Sequence, residues 1–169
     1  MPELTVIEIR VSTGDAPPLV VLAEIGGRER RLPIWMSHGG ASAIFSATED
    51  PDVERPSIHD LAWRLAESSS DPLDAVAITR FDDGQFYAQL VFAETVLPAR
   101  PSDAIAIALR AGCPIRCAEA VLDEAGVSAA ELAAGVVEPE RAPDDEVERF
   151  REFLESITPE DFSGDENQP

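Results

Sequence analysis

Two segments of the chain match each other without gaps, and both run from a predicted strand through a turn into a predicted helix. The first reads L-P-I-W-M-S-H-G-G-A-S-A-I from Leu32, and the second reads L-P-A-R-P-S-D-A-I-A-I-A-L from Leu97. Two alternating apolar runs precede each segment, as is typical of strands. This order predicts an α+β fold, a single domain with mixed or antiparallel sheets. A duplicated β-β-β-α unit is one explanation of the match, and chance is the other.

The apolar pattern and the turn residues divide the first three quarters of the chain into short elements. The predicted strands cover residues 3–11, 19–25, 28–35, 74–81, 85–92, 94–100 and 113–118, and the predicted helices cover residues 39–48, 57–68, 101–111 and 119–125. Helix 57–68 carries Ile58, Leu61, Ala62 and Leu65 on one face, and it begins at Ser57 with capping-box spacing. Helix 101–111 is apolar all round in its middle, so we expect it to be buried.

The C-terminal part of the chain differs from the rest in charge. The whole chain has 33 acidic and 13 basic residues, a net charge of −20, and half of that charge falls after residue 127. We predict a domain over residues 1–132, a linker over residues 133–143 that is rich in helix breakers, and an accessory amphipathic helix over residues 144–158. Residues 159–169 form an acidic tail that we expect to be disordered.

Composition excludes several classes of protein. No apolar run approaches the roughly 20 residues of a membrane span, and the N-terminus has no signal pattern, so we expect a cytoplasmic protein. Cys113 and Cys117 lack redox or zinc spacing and are predicted to be reduced thiols. Every basic residue is an arginine, so only arginine or a metal ion can neutralise a phosphate. The strong negative charge predicts weak, unselective binding to nucleic acid.

Four segments together resemble the bifunctional nuclease family. They are L-P-I-W-M from Leu32, H-D-L from His59, I-T-R-F-D-D-G-Q-F-Y-A from Ile78 and A-R-P-S-D-A-I-A-I-A-L-R from Ala99. The resemblance covers about residues 4–127, and it implies a small domain with DNase and RNase activity. The chain departs from the family at Gly40, where an acidic residue is often present.

Hydrolysis of a phosphodiester needs an activated water and stabilisation of the charge at phosphorus, which carboxylate-bound divalent ions can supply. We therefore predict His59, Asp60 and Asp103 as catalytic residues, with Asp60 and Asp103 holding Mg or Mn. Arg100 and Ser102 are predicted to bind phosphate at the start of a helix. The same residues also have structural explanations, because Asp60 fits a capping box and Ser102 or Asp103 could cap the buried helix.

Two functions remain open from the sequence. The first is a metal-assisted nuclease that acts on DNA and RNA, without membrane contact, as a homo-oligomer with a dimer favoured. The second is a non-catalytic, homo-oligomeric interaction module whose acidic C-terminal helix engages a partner. Convergence of His59, Asp60 and Asp103 in one cleft would favour the enzyme, and scattered positions would favour the module.

Overall fold

The computed structural model describes residues 1–11, 16–52 and 54–135. The predicted accessory helix over residues 144–158 and the predicted tail over residues 159–169 lie outside these residues. The strands are Glu3–Arg10 (β1), Leu19–Glu24 (β2), Arg31–Trp35 (β3), Leu73–Asp82 (β4), Gln85–Phe92 (β5), Val96–Ala99 (β6) and Ile115–Cys117 (β7). The helices are His38–Ala47 (α1), Ile58–Glu67 (α2), Pro101–Ala111 (α3), Glu119–Ala125 (α4) and Ala129–Ala133 (α5). The α+β prediction is confirmed.

All seven strands form one mixed sheet in the order β3-β2-β1-β7-β4-β5-β6. Each half is an antiparallel three-stranded meander, and β7 joins the halves by pairing antiparallel to β1 and parallel to β4. Helix α1 follows the first meander and α3 follows the second. The two halves therefore share a strand order, as a duplicated unit requires. The duplication itself stays a prediction, which superposition of the two halves would test.

The Leu-Pro pairs that align in the two halves both lie at sheet edges. Pro33 is in β3 and Pro98 is in β6, the two outermost strands. Proline has no N–H for the strand ladder, so it is confined to edges or bulges, where it also discourages pairing with another sheet. The shared Leu-Pro thus has a physical reason at each edge, in addition to any common origin.

The main core lies between the sheet and the helices α1 and α3. Every residue from Ala104 to Ala108 in α3 is buried, which confirms the prediction for this helix. Gly112 ends α3 with a φ of 63°, a conformation that glycine adopts without a steric penalty. On the other face of β2, Leu19 and Val21 pack against Leu132 of α5.

A two-residue turn connects β4 to β5. Asp82 pairs with Gln85 across the hairpin, and the intervening Asp83 and Gly84 have φ values of 48° and 74°. Two consecutive positive φ angles suit the right-handed twist of the flanking strands, and aspartate with glycine is a preferred pair at such a turn. The tight turn predicted here is confirmed.

Helix α2 is predicted correctly, but its apolar stripe faces away from the protein. Ile58, Leu61 and Leu65 are 72%, 43% and 72% exposed, whereas the buried residue of this helix is Asp60. An amphipathic helix normally buries its apolar face. Here the side of α2 that carries His59 and Asp60 packs on α3 instead, so the apolar pattern predicts the helix and its period but not its orientation.

None of the helices within the described ranges combines the length and apolar character needed to cross a membrane.

Candidate functional site

The first turns of α2 and α3 bring three of the predicted site residues into direct contact. His59 Nε2 lies 3.1 Å from Asp103 Oδ1, although the two residues are 44 positions apart in the chain. Arg100 donates from Nε to Asp103 Oδ2 at 2.7 Å and from Nη2 to Oδ1 at 3.1 Å. The Asp103 carboxylate therefore joins an imidazole to a guanidinium at the start of a buried helix.

The start of α3 explains how Asp103 becomes available for these contacts. Arg100 occupies the N-cap position with an extended backbone, Pro101 is the first helical residue, and no side chain caps the helix. The expectation that Ser102 or Asp103 caps α3 is therefore wrong. Asp103 points its carboxylate to Arg100 and His59, and Ser102 is 8% exposed. Backbone N–H groups in an uncapped first turn favour an anion at this end of the helix.

Charge and hydrogen bonding hold Asp103 in its ionised form. Burial by itself would raise the pKa of this carboxyl, but the hydrogen bonds from Arg100 and His59 outweigh burial and leave the pKa below its usual value. The side chains of His59, Asp103 and Arg100 are 18%, 26% and 71% exposed. The cluster is thus anchored on its inner side and open to solvent through Arg100.

Asp60 does not join this cluster through any contact observed in the described residues. Its Oδ2 accepts from the backbone N–H of Ser57 at 2.8 Å, and the Ser57 hydroxyl accepts from Asp60 N at 3.2 Å, which confirms the capping box. Its Oδ1 lies 2.6 Å from Arg110 Nε in an ion pair whose side chains are 6% and 9% exposed. Burial would raise the pKa of Asp60, but the hydrogen bonds with Ser57 and the charge of Arg110 keep it below its usual value.

Arg110 extends this ion pair to a third helix. Its Nη2 donates to the carbonyl oxygen of Ser46 at 2.7 Å, and its Nη1 donates to the carbonyl oxygen of Glu49. The end of α1, the start of α2 and the last turn of α3 therefore meet at one guanidinium. Spacing along the sequence gives no sign of this arrangement.

A cleft of about 330 Å³ opens beside the ion pair. Trp63, Arg64 and Glu67 of α2 form one wall, and Leu109 and Arg110 of α3 form another. The cleft therefore lies on the Asp60 side of α2. The predicted residues divide between two places, with His59, Arg100 and Asp103 in contact at the uncapped helix start and Asp60 at the cleft.

The predicted metal ligands do not form a complete metal site in the part of the chain that is described. Asp60 and Asp103 have different partners, and no group of three or more His, Cys, Asp or Glu side chains there is arranged to hold a metal ion. Ser102 lies next to Asp103 in the first turn of α3. Its contact with phosphate stays a prediction.

Comparison with known proteins identifies the family. The sequence model of the bifunctional nuclease domain matches residues 20–130. The chain belongs to the bifunctional nuclease domain family. Two proteins from different strains of Mycobacterium tuberculosis, each called an uncharacterized protein, are 40% identical to it over 168 residues. These alignments cover 96% of the chain and 98% of each relative. The match begins within β2 and ends within α5, and it includes the His59 cluster and the cleft beside Asp60.

The absence of a side chain at Gly40 has a steric consequence in this structure. A Cβ atom at this position would lie 2.8 Å from Ser102 Cβ and 3.0 Å from Ser102 Oγ. Gly40 therefore lets the first turns of α1 and α3 approach closely. A larger side chain at this position would require Ser102 or one of the two helices to shift.

Replacing Gly40 with alanine is expected to lower the free energy of unfolding by about 1–3 kcal/mol, because the added methyl overpacks the contact with Ser102. Gly39→Ala is the matched control, since a Cβ there meets only Ser37 Oγ at 3.9 Å. The control is expected to raise stability by up to about 1 kcal/mol through helix propensity. Urea denaturation measures both changes, and equal effects of the two substitutions would contradict the close-approach explanation.

Proposed function

We propose that this bifunctional nuclease domain hydrolyses phosphodiester bonds of nucleic acids at the cluster formed by His59, Arg100 and Asp103. The observation that carries the proposal is the contact between His59 and Asp103 at the uncapped start of α3. An imidazole, a carboxylate and a guanidinium lie in contact around one helix end, which supports the proposal. Family membership gives the substrate class, and the geometry supports these residues for the reaction.

His59 is proposed to act as the general base. In the neutral tautomer that donates from Nε2 to Asp103, Nδ1 is left as an acceptor. Nδ1 would take a proton from water while the water oxygen bonds to phosphorus. The bond from phosphorus to the leaving sugar oxygen then breaks, and that oxygen takes a proton from solvent. Asp103 holds the ring in position and stabilises the imidazolium that forms, as carboxylates do in other acid–base pairs.

Arg100 and Ser102 are proposed to contact the phosphate. The Arg100 side chain is 71% exposed, and its planar guanidinium is suited to binding two phosphate oxygens. Ser102 belongs to the first turn of α3, where the N–H groups and the helix dipole favour an anion. The chain has a net charge of −20, so its surface as a whole repels nucleic acid. Binding of the substrate therefore depends on local contacts such as these.

Metal assistance by Mg or Mn stays a prediction, and its predicted ligands Asp60 and Asp103 contact different partners in the described residues. A bound divalent ion would supply charge neutralisation at the phosphate. The described residues do not offer a complete ligand set for it, so the steps above use only the chain's own side chains.

Cleavage of RNA and of single- and double-stranded DNA oligonucleotides by the purified protein is the direct test. We expect cleavage in the presence of Mg or Mn and its loss in excess chelator, because the chain has no lysine and its net charge of −20 repels the phosphates of the substrate. Undiminished cleavage in chelator would contradict the metal dependence and leave the roles of His59 and Asp103 in place. Absence of cleavage for every substrate and ion would contradict the proposed function.

A homo-oligomeric interaction module is the second candidate. The observation that favours it is the exposed stripe of Ile58, Leu61 and Leu65 on α2, since contiguous exposed apolar surface commonly marks an interface. A second copy of the chain would cover this stripe. The cleavage assay separates the two candidates, and the mass of the protein in solution shows whether copies associate.

A further inference from the structure

Polar contacts help to determine where α2 lies on α3, alongside the half-buried Ala62, Trp63 and Ala66 of this helix. The large aliphatic side chains of α2 face solvent, and its buried residue is Asp60. Two polar contacts join the first turn of α2 to α3. These are His59 with Asp103 at 3.1 Å and Asp60 with Arg110 at 2.6 Å. These two contacts hold the first turn of α2, and with it His59, against α3.

The contact between Asp60 of α2 and Arg110 of α3 is a buried ion pair, which is an unusual contact between two helices. Both side chains are more than nine-tenths buried, and removing two charges from water costs free energy that their attraction regains only in part. Asp60 Oδ1 and Arg110 Nε are close, yet neither makes a well-aligned hydrogen bond in the described residues. Buried ion pairs of this kind contribute little net stability, and fixing one arrangement of the chain is among the roles they serve.

We propose that Asp60 and Arg110 are positioning residues that fix α2 so that His59 meets Asp103. The catalytic consequence rests on the proposed function, whereas the effect on the position of His59 does not. Asp60 directly follows His59 in the same helical turn. A shift of Asp60 away from Arg110 therefore also moves His59, and it lengthens the distance from the His59 imidazole to Asp103.

Arg110 suits this role because it also holds the segment that leads into α2. Its contacts with the carbonyl oxygens of Ser46 and Glu49 lie at the end of α1, where a cation is favourable next to the helix dipole. The connection from α1 to α2 is thus fastened to α3 at both ends. Lysine at position 110 would keep the charge but could not reproduce the forked set of contacts.

Histidine NMR tests the proposal directly, since the chain has two histidines. In Asp60→Asn, the amide oxygen can still accept from Ser57 N, so the capping box is retained while the charge opposite Arg110 is lost. The ring resonances of His59 are expected to move towards their values in the urea-unfolded protein. The resonances of His38, in the first turn of α1, are expected to stay in place. Unchanged His59 resonances in the folded variant would overturn the proposal.

Arg110→Lys provides a second test in case Asp60→Asn does not fold. Lysine keeps the positive charge but cannot contact Asp60, Ser46 and Glu49 together as the guanidinium does. We therefore expect the His59 resonances to move in the same direction by a smaller amount. Wild-type resonances in this variant would overturn the proposal independently. Glu67→Gln is the matched control, because Glu67 lies on α2 and lines the same cleft but belongs to neither contact with α3.

Kinetics separate positioning from substrate binding. Asp60→Asn is expected to lower kcat by about 10- to 100-fold, because a displacement of about 1 Å in a reacting group can cost that much. KM is expected to stay within about twofold, since neither residue of the pair is proposed to touch substrate. Wild-type kcat in a variant with displaced His59 resonances would contradict the catalytic consequence. If the wild-type protein cleaves nothing, the proposed function fails and the His59 resonances alone decide the positioning role.

Discussion

His59→Gln is expected to lower kcat/KM for phosphodiester cleavage by about 10²–10⁴-fold, the usual contribution of a general base. Glutamine has a similar size and keeps a polar group near Asp103, but it cannot take a proton at neutral pH. The folded structure should persist, because the His59 side chain is still 18% exposed and lies outside the apolar core. Oligonucleotide cleavage under single-turnover conditions measures the loss, and thermal unfolding confirms that the variant is folded.

Asp103→Asn tests whether the two residues work as a unit. The single substitution should also lower kcat/KM, because an amide cannot stabilise the imidazolium that forms on His59. The double variant should be no slower than His59→Gln alone, since the effects of residues that act together are not additive. Additive losses would show that Asp103 has a separate role, such as the predicted metal ligation. Glu67→Gln, on the same helix but away from the cluster, is expected to retain wild-type activity.

Local sequence signals predict several elements of this fold with correct boundaries. The strand over residues 85–92 and the helix over residues 119–125 are found as predicted. Their turn residues, capping residues and apolar periods all favour the same structure. Helix α5 lies in the region where the domain was expected to end, yet Ser128 and Glu131 form a capping box at its start. That spacing was available as a signal, but the helix is only one turn long.

The chemistry of the site is predicted less completely, because it depends on how two helices cross. Residue type alone selects His59, Asp103 and Arg100 as candidates, and the structure brings them together. The same reasoning groups Asp60 with them, but successive residues of a helix point about 100° apart. Asp60 therefore faces Arg110 while His59 faces Asp103. The exposed apolar stripe on α2 was missed for the same reason. The spacing of apolar residues shows which of them share a helix face, but it does not show whether another element covers that face.

Arg30→Ala is expected to lower the free energy of unfolding by about 3–5 kcal/mol, the cost of leaving a buried charge without its partner. Arg30 donates from Nε and Nη2 to the Glu24 carboxylate at 3.1 and 2.9 Å. It also reaches Glu119 at 2.9 Å and Asp123 at 2.8 Å on α4. The Glu24 and Arg30 side chains are 4% and 13% exposed, so this pair lies largely out of water, whereas Glu119 and Asp123 on α4 are about half exposed.

The pH dependence of stability gives an independent check on the same contacts. The hydrogen bonds from Arg30 lower the pKa of Glu24 to about 2, from an ordinary value of 4.5, against the opposing effect of burial. The folded protein thus binds fewer protons than the unfolded chain between these two values. The stabilisation is fully present above pH 4.5 and is lost as the pH falls towards 2. In Glu24→Gln this part of the acid sensitivity should disappear.

Arg28→Ala is the matched control for the hairpin network. Arg28 approaches the same two acids on α4, Asp123 at 3.4 Å and Glu119 at 3.9 Å, but its side chain is 72% exposed. Water and salt screen such a pair, so the control should cost less than about 1 kcal/mol. Urea denaturation at pH 7 and at pH 3 measures all three variants. If Arg30→Ala costs no more than Arg28→Ala, burial does not set the strength of this network.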